Sequence, residues 1–322
     1  MRTLILLPLL LAISFSSLVD EYLEAVRRFS EDDGMTLRTT NPNALKAHFL
    51  AFKEYKQTVD EINSDSNILF TAEMNRFSIM TKPERALHLG INTSTATPWD
   101  LEGEESPTTL TSSDASLPSY VNWMSRGAQV PVKNQGQCGS CWVFSAISAF
   151  EGEYYLTTGD LVAFSEQEIL DCSLEQSRKK SRKKSKIKPE RNGCEGAWMN
   201  RAYDYVEKSG RLASRKQAPY VAKDRICNYE NTGNSLTKAK LTGHRQIYGD
   251  DTVLLQLAAK GIVSVVISCP TSFFTYQRGM YKDVAGCNAE TAEIHAVNVV
   301  GYGKKQGHPY WRVGNKSRVK MA

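Results

Sequence analysis

Apolar side chains recur at helical spacing in the first part of the chain. Two sets repeat every three or four residues, and they are Tyr22, Leu23, Val26 and Phe29, then Leu45, Phe49, Phe52, Tyr55, Val59 and Ile62. Most of the positions between them are charged or polar, so each set predicts an amphipathic helix. Residues 19–91 are therefore expected to form a charged, mainly helical leader.

A longer helix is predicted in the middle of the chain, from about Ser140 to Tyr155. Gly159 would end it, because glycine readily adopts the left-handed conformation that follows many helices. The buried contacts expected from this helix are Phe144, Ile147, Ala149, Phe150 and Tyr154. Two later stretches, Gly261–Ser268 and Ala296–Tyr302, are rich in valine and isoleucine and predict strands.

Two segments without this periodicity divide the chain. Residues 1–18 predict a secretory signal peptide, because Met1-Arg2 precedes an apolar run from Leu4 to Leu11 and then small residues. That run is shorter than the roughly 20 residues of a membrane span, so no span is expected. Residues 92–116 are rich in Thr, Ser, Pro and acidic residues, which predicts an exposed linker containing an activation site. Asn92 lies there in a glycosylation sequon, and residues 117–322 form the main domain.

The net charge of +5 comes largely from one basic run, Arg178 to Lys188. Such a run most often forms a solvated loop, and contact with a polyanion such as a glycosaminoglycan or an anionic membrane surface is the alternative. The signal peptide excludes a nuclear role, so no nucleic-acid partner is expected. The product is instead expected in the secretory pathway, in the lysosome or outside the cell.

Cys141 is the strongest candidate for chemistry in the sequence. It follows a glycine-rich turn in Gln135–Ser145 and opens the predicted long helix, whose N–H groups and dipole favour a thiolate and are expected to lower the cysteine pKa. Cys138 and Cys141 could alternatively form half of a zinc site or a redox pair. The other cysteines offer no second closely spaced pair and no strand precedes the motif, so a nucleophile is favoured and no metal or cofactor is expected.

A thiol nucleophile requires a base, and His295 is the histidine best placed to serve. It directly precedes the predicted strand Ala296–Tyr302, while His48 and His88 lie in the leader and His244 and His308 lie in polar surroundings. We expect His295 to pair as an imidazolium with the Cys141 thiolate and then to protonate the leaving amine. A buried structural histidine is the alternative.

The motif Cys138-Gly139-Ser140-Cys141-Trp142 resembles the signature of the papain/cathepsin family of cysteine proteases. The resemblance extends from Leu117 to Asn315 and implies an α+β fold, with a helical left domain and a β-barrel right domain after a helical prodomain. Family members continue beyond Asn315, so the right domain is expected to lack its last strands.

The resemblance also assigns roles to further residues. Asn315, in a segment similar to Y-W-x-x-K-N-S-W-G, would orient His295, and the Gln135 amide would bind the oxyanion. The expected substrate-binding residues are Gly196, Ala197, Trp198, Met199, Val266 and Ala296. The apolar side chains among them imply an apolar P2 residue.

Cysteine pairing and latency are implied in the same way. Seven cysteines in a secreted chain indicate disulfides and at least one remaining thiol. The resemblance pairs Cys138 with Cys194 and Cys172 with Cys227, and it leaves the pairing of Cys269 and Cys287 open. The leader resembles the family's inhibitory propeptide in part, because Phe52, Val59 and Asn63 match its helix pattern and Asn75 and Phe77 match its following strand, while Ala44, His48 and Tyr55 depart from it.

Two functions remain compatible with these observations. The first is an endopeptidase made as a zymogen, which cleaves peptides and proteins through a Cys-His-Asn site and is inhibited by its own propeptide. The second is a catalytically inactive, truncated relative that binds peptides, proteases or polyanions.

Overall fold

The computed structural model describes residues 17–29, 41–91, 104–105, 117–174, 193–229, 241–248, 250–289 and 293–314. The α-helices in these ranges are α1 (17–29), α2 (Pro42–Ser64), α3 (Lys82–Ala86), α4 (Cys141–Thr158), α5 (Glu166–Cys172), α6 (Met199–Ser209), α7 (Asp251–Lys260), α8 (Thr271–Thr275) and α9 (Val284–Cys287). The strands are β1 (Phe70–Ala72), β2 (Glu104–Glu105), β3 (Val121–Asn122), β4 (Ile247–Tyr248), β5 (Val263–Cys269), β6 (Tyr276–Gly279), β7 (Glu293–Lys305) and β8 (His308–Gly314). This mixture of helices and sheet confirms the α+β class.

Helix α4 confirms the prediction of a long central helix. It begins at Cys141 and ends at Thr158, and the following Gly159 has a φ of +80°, the left-handed conformation expected after the last turn. Phe144, Ile147 and Phe150 are buried, as predicted, whereas Ala149 and Tyr154 are only half-buried. The first turns of α4 are surrounded by protein on nearly every side. Its first residue is therefore held in place by the packing of the whole helix.

The described residues fall into two compact units. Unit 1 contains the described part of Met1–Arg85 and of Cys269–Ala292, and unit 2 contains that of Ala86–Ser268 and Glu293–Arg318. These units are defined by how densely their residues pack, whereas the boundaries predicted from the sequence separate segments expected to be removed by proteolysis. Those boundaries therefore stay predictions. No helix in the described ranges is long and apolar enough to cross a membrane.

In unit 1 the leader helices pack through aromatic side chains. Tyr22 and Phe29 of α1 and Phe52 of α2 form one buried cluster with Ile79, and the rings of Tyr22 and Phe52 lie 5.5 Å apart. Strand β1 pairs antiparallel with β6. The Asn63 side chain exchanges two hydrogen bonds with the backbone of Ala72, at 2.9 and 3.0 Å, and so fastens α2 to β1.

Unit 2 combines a sheet with helices that pack on it. Strands β3, β7 and β5 are adjacent in that order, and β8 pairs antiparallel with β7. Helix α4 packs against β7 on one side and against α5 and α6 on another. Because α4 begins at Cys141 and β7 carries His295, this packing brings together the two residues predicted to form the catalytic pair.

Candidate active site

A disulfide and several backbone hydrogen bonds hold the turn before Cys141 in place. A disulfide joins Cys138 to Cys194, and Gly139 N donates to Cys194 O at 2.8 Å. The Ser140 carbonyl accepts from Val143 N at 2.9 Å and from Phe144 N at 3.2 Å, which winds the first turn of α4. Because Cys138 is consumed in a disulfide with Cys194, it is not available as a metal ligand or redox partner for Cys141.

Two backbone N–H groups converge on the Cys141 sulfur. Gly90 N lies 3.0 Å from Sγ, and Ala296 N lies 3.4 Å from it. Ala296 directly follows His295 on β7, and His295 is itself buried. Strand β7 therefore brings the predicted base to the neighbourhood of the thiol.

The pKa of Cys141 is shifted in the direction opposite to that expected from the sequence. Burial raises the pKa of the thiol to about 11, although N–H groups of Ala296, Gly90 and the helix start act to lower it. The side chain is 1% exposed, so the cost of a charge without water outweighs the favourable helix terminus. The expectation of a lowered pKa was wrong for this state of the chain, because it ignored what covers the thiol.

What covers the thiol is the end of the leader segment. Gly90 donates its N–H to Cys141 Sγ, and its carbonyl accepts from Ala197 N at 2.9 Å. Two residues before Gly90, the His88 carbonyl accepts from Gln135 Nε2 at 2.7 Å, and His88 Nδ1 lies 3.0 Å from Gly136 O. Residues 88–90 thus satisfy hydrogen-bonding groups on both sides of the thiol.

Only glycine fits at position 90. A Cβ built there would lie 2.1 Å from Gly139 O and 2.9 Å from Cys141 N, distances at which the backbone itself must move. The opposite wall is equally tight, because a Cβ on Gly196, whose φ is +99°, would lie 2.7 Å from Gly90 O. Sequence reasoning did not single out His88 or Gly90, because an isolated glycine after a short helix carries no local sign of a contact 51 residues away.

The amide of Gln135, which the resemblance assigns to the oxyanion, already makes two hydrogen bonds. The side chain is buried, and Nε2 donates to His88 O at 2.7 Å and to Cys138 O at 3.1 Å. The first acceptor belongs to the leader and the second to the turn. A leader carbonyl therefore takes the hydrogen bond that was predicted for the substrate oxygen.

Five of the six predicted substrate-binding residues lie in or against the buried apolar cluster that contains Ile91 of the leader. Ala197 and Ala296 share a buried apolar cluster with Ile91 and Cys141, and Trp198, Met199 and Val266 pack against this cluster. Gly196 lies against Gly90, as described above. The six residues named from the resemblance therefore belong to one region of unit 2.

The remaining cysteines lie within the described residues, whereas several other predicted residues do not. The second disulfide joins Cys172 to Cys227, and Cys269 and Cys287 are present as thiols. Asn315, Asn92 and the basic run Arg178 to Lys188 lie outside the described residues. No group of three His, Cys, Asp or Glu side chains suited to a metal ion occurs in the described ranges.

A buried thiol at a helix start, a histidine on the facing strand and a leader backbone hydrogen-bonded to the thiol are features typical of thiol proteases in their precursor form. Residues 117–317 match the family described as papain family cysteine protease. The chain therefore belongs to the papain family of cysteine proteases.

Individual relatives agree with this assignment. Fruit bromelain of Ananas comosus is 29% identical over 298 residues, which cover 92% of this chain and 75% of the relative. Cathepsin K of Mus musculus is 33% identical over 282 residues, covering 82% and 80% respectively. The crystal structure of the Amb a 11 cysteine protease from ragweed, in its proform, superposes with a TM-score of 0.72 at 27% identity and covers 92% of this chain and 84% of its own.

Proposed function

We propose that this chain is the zymogen of a cysteine endopeptidase whose nucleophile is Cys141. In the processed protein His295 accepts the thiol proton, and the thiolate attacks the carbonyl carbon of the scissile peptide bond. The Gln135 amide and the Cys141 N–H stabilise the oxyanion, and His295 then protonates the leaving amine. Water hydrolyses the resulting thioester, while Asn315 orients the His295 ring.

The observation that carries this proposal is the set of hydrogen bonds at the thiol. Gly90 N–H contacts Cys141 Sγ, and His88 O occupies the Gln135 amide, so a peptide backbone already lies where a substrate backbone is proposed to bind. Ala197 N, which donates to Gly90 O at 2.9 Å, is available to pair with an extended peptide in the same way.

The same contacts support an inhibitory role for residues 19–91. With a pKa of about 11, the Cys141 thiol is protonated near neutral pH, and a protonated thiol is a poor nucleophile. Cleavage within residues 92–116 and departure of the leader would admit water, lower the thiol pKa and vacate the Gln135 amide. Activity is therefore proposed to depend on processing.

An apolar P2 residue is proposed for the substrate. Ile91 of the leader lies in the apolar cluster of Ala197 and Ala296, with Val266 and Trp198 packed against that cluster. An apolar substrate side chain would replace Ile91 there at little desolvation cost, whereas a charged side chain would lose its hydration.

Two further proposals concern the residues outside the described ranges. The apolar run Leu4 to Leu11 supports entry into the secretory pathway, with glycosylation at Asn92 and delivery to the lysosome or the exterior. The basic run Arg178 to Lys188 is proposed to contact polyanions through its charge.

The test is hydrolysis by the processed protein. The precursor is incubated at mildly acidic pH, the new N-terminus is sequenced, and turnover of fluorogenic dipeptides with apolar or charged P2 residues is measured. An epoxide inactivator should label Cys141 and abolish turnover, and a Cys141→Ala variant serves as the control. Preferential labelling at Cys269 or Cys287, or full activity of the uncleaved precursor, would contradict the proposal.

A further inference from the structure

One phenol bridges the turn that precedes Cys141. The Tyr220 hydroxyl donates to Gln135 O at 2.8 Å and lies 2.6 Å from Ser140 Oγ. A phenol has a single hydrogen and a carbonyl oxygen can only accept, so the Ser140 hydroxyl donates to the Tyr220 oxygen. Tyr220 therefore joins the residue at the start of the turn to the residue directly before Cys141.

The Tyr220 ring is itself fixed in place. It packs edge-on against Phe144 of α4, with ring centroids 4.8 Å apart and planes at 82°. Burial raises the pKa of the phenol, and the negative charges of Glu166 and Asp224 act in the same direction. The phenol consequently stays protonated throughout the working pH range and continues to donate to Gln135 O.

These contacts do not involve the leader. Gln135 binds the leader through its side-chain amide, whereas Tyr220 binds its backbone carbonyl. Removal of residues 88–90 would break the hydrogen bond between the Gln135 amide and His88 O but would leave the backbone of Gln135 bonded to Tyr220. In the processed protein the Gln135 amide would keep its bond to Cys138 O, within the turn, and the backbone of Gln135 would keep its bond to Tyr220, which lies outside the turn.

We propose that Tyr220 is a positioning residue for oxyanion stabilisation. It sets the distance between the Gln135 amide and the Cys141 N–H by holding both ends of the turn Gln135–Ser140. This inference rests on the proposed function, because an oxyanion forms only if Cys141 attacks a carbonyl group. Oxyanion donors act through placement within a fraction of an ångström, so loss of the bridge weakens the transition state more than the bound substrate.

The test replaces the hydroxyl and keeps the ring. In the processed protein, Tyr220→Phe should lower kcat about tenfold and leave KM within about twofold, a smaller loss than the 10²–10³ found when an oxyanion donor itself is removed. A peptide aldehyde forms a tetrahedral adduct with the thiol, and its inhibition constant should rise by a similar factor. Alkylation of Cys141 by iodoacetamide creates no oxyanion, so its rate should change less than about twofold.

Tyr302→Phe is the matched control. The Tyr302 hydroxyl also donates to a backbone carbonyl, Pro118 O at 2.9 Å, but that carbonyl lies outside the turn Gln135–Ser140. Its kcat and aldehyde inhibition should stay at the level of the unaltered protein. Equal kinetics for Tyr220→Phe and Tyr302→Phe would overturn the proposal, as would a parallel loss of alkylation rate and kcat in Tyr220→Phe.

Ser140→Ala keeps the inference testable if Tyr220→Phe fails to fold. This variant removes the hydrogen bond between Ser140 and Tyr220 and keeps the one between Tyr220 and Gln135 O. The kcat should therefore fall by about threefold with KM unchanged. An unchanged kcat would count against the proposal. If the unaltered processed protein hydrolyses no peptide, the proposed function fails. Aldehyde binding by Tyr220→Phe then decides the positioning role separately, since weaker binding supports it and equal binding overturns it.

Discussion

The leader is held by different chemistry in the two units of the molecule. In unit 1 its helices bury aromatic rings, and Asn75 Nδ2 reaches Phe274 O at 2.7 Å beside the T-shaped pair Phe77 and Phe274. In unit 2 residues 88–90 act mostly through backbone groups on Cys141, Gln135 and Ala197. Side-chain burial supplies most of the free energy of such an arrangement, whereas the backbone contacts determine which groups of the site are covered.

Anchoring of the leader and blocking of the thiol are therefore separable. Removing an aromatic side chain in unit 1 should cost stability without altering the chemistry of Cys141. Adding a single methyl group at position 90 should alter access to Cys141 with little loss of buried area. The following predictions test this separation.

The largest effect is expected from the aromatic anchor. Phe52 is 2% exposed and packs with Tyr22, so Phe52→Ala should lower the free energy of unfolding of the precursor by about 3–5 kcal/mol, as measured in urea. Leu50→Ala on the same helix is the control, because Leu50 is 53% exposed and its loss should cost less than about 0.5 kcal/mol. Similar values for the two variants would contradict burial as the anchor.

Next in size is the dependence of Cys141 alkylation on pH. In the intact precursor the raised pKa leaves the thiol protonated, so the iodoacetamide rate should climb as pH rises and level off only near pH 11. In the processed protein the profile should level off at or below the ordinary thiol pKa of about 8.5, which at pH 7 makes labelling more than about 100-fold faster. Cys141→Ala identifies labelling at the other thiols, and superimposable profiles would show that the leader does not set the pKa.

A smaller change is expected from substitution of Gly90, which lies against the thiol. In Gly90→Ala the new Cβ meets backbone atoms of Gly139, so residues 88–90 must shift and Cys141 alkylation in the uncleaved precursor should accelerate about tenfold at pH 7. Gly261→Ala is the control, since a Cβ there lies at least 3.6 Å from the nearest atoms. Unchanged labelling in Gly90→Ala, with unfolding free energy also unchanged, would refute the backbone blockade.

The smallest effect should come from polar contacts in unit 1. Gln277 accepts from Thr71 Oγ1 at 2.9 Å and donates to Glu73 Oε2 at 2.7 Å, where solvent screens the interaction. Gln277→Ala should lower the unfolding free energy by about 0.5–1 kcal/mol and leave Cys141 alkylation unchanged. A loss as large as that of Phe52→Ala would mean that polar pairing, rather than burial, anchors the leader.

The sequence predicted the features that depend on local pattern. The bounds of α4, its stop at Gly159 and the strand behind His295 follow from periodicity and from glycine chemistry, which act over a few residues. The resemblance supplied the disulfides and the residues around Ile91. The thiol pKa could not be predicted, because burial by Gly90 arises from a contact 51 residues away. Tyr220 was missed for the same reason, since its bonds to Gln135 and Ser140 cross 85 and 80 residues.

The cover over Cys141 also bears on how the chain acquires its disulfides. Cys138 is oxidised and bonded to Cys194 while Cys141, three positions later, remains a thiol. Thiol–disulfide exchange proceeds through the thiolate, so a buried thiol with a pKa of about 11 attacks a neighbouring disulfide slowly. In the folded precursor, the burial of Cys141 beneath the backbone of Gly90 therefore slows its exchange with the neighbouring Cys138–Cys194 disulfide.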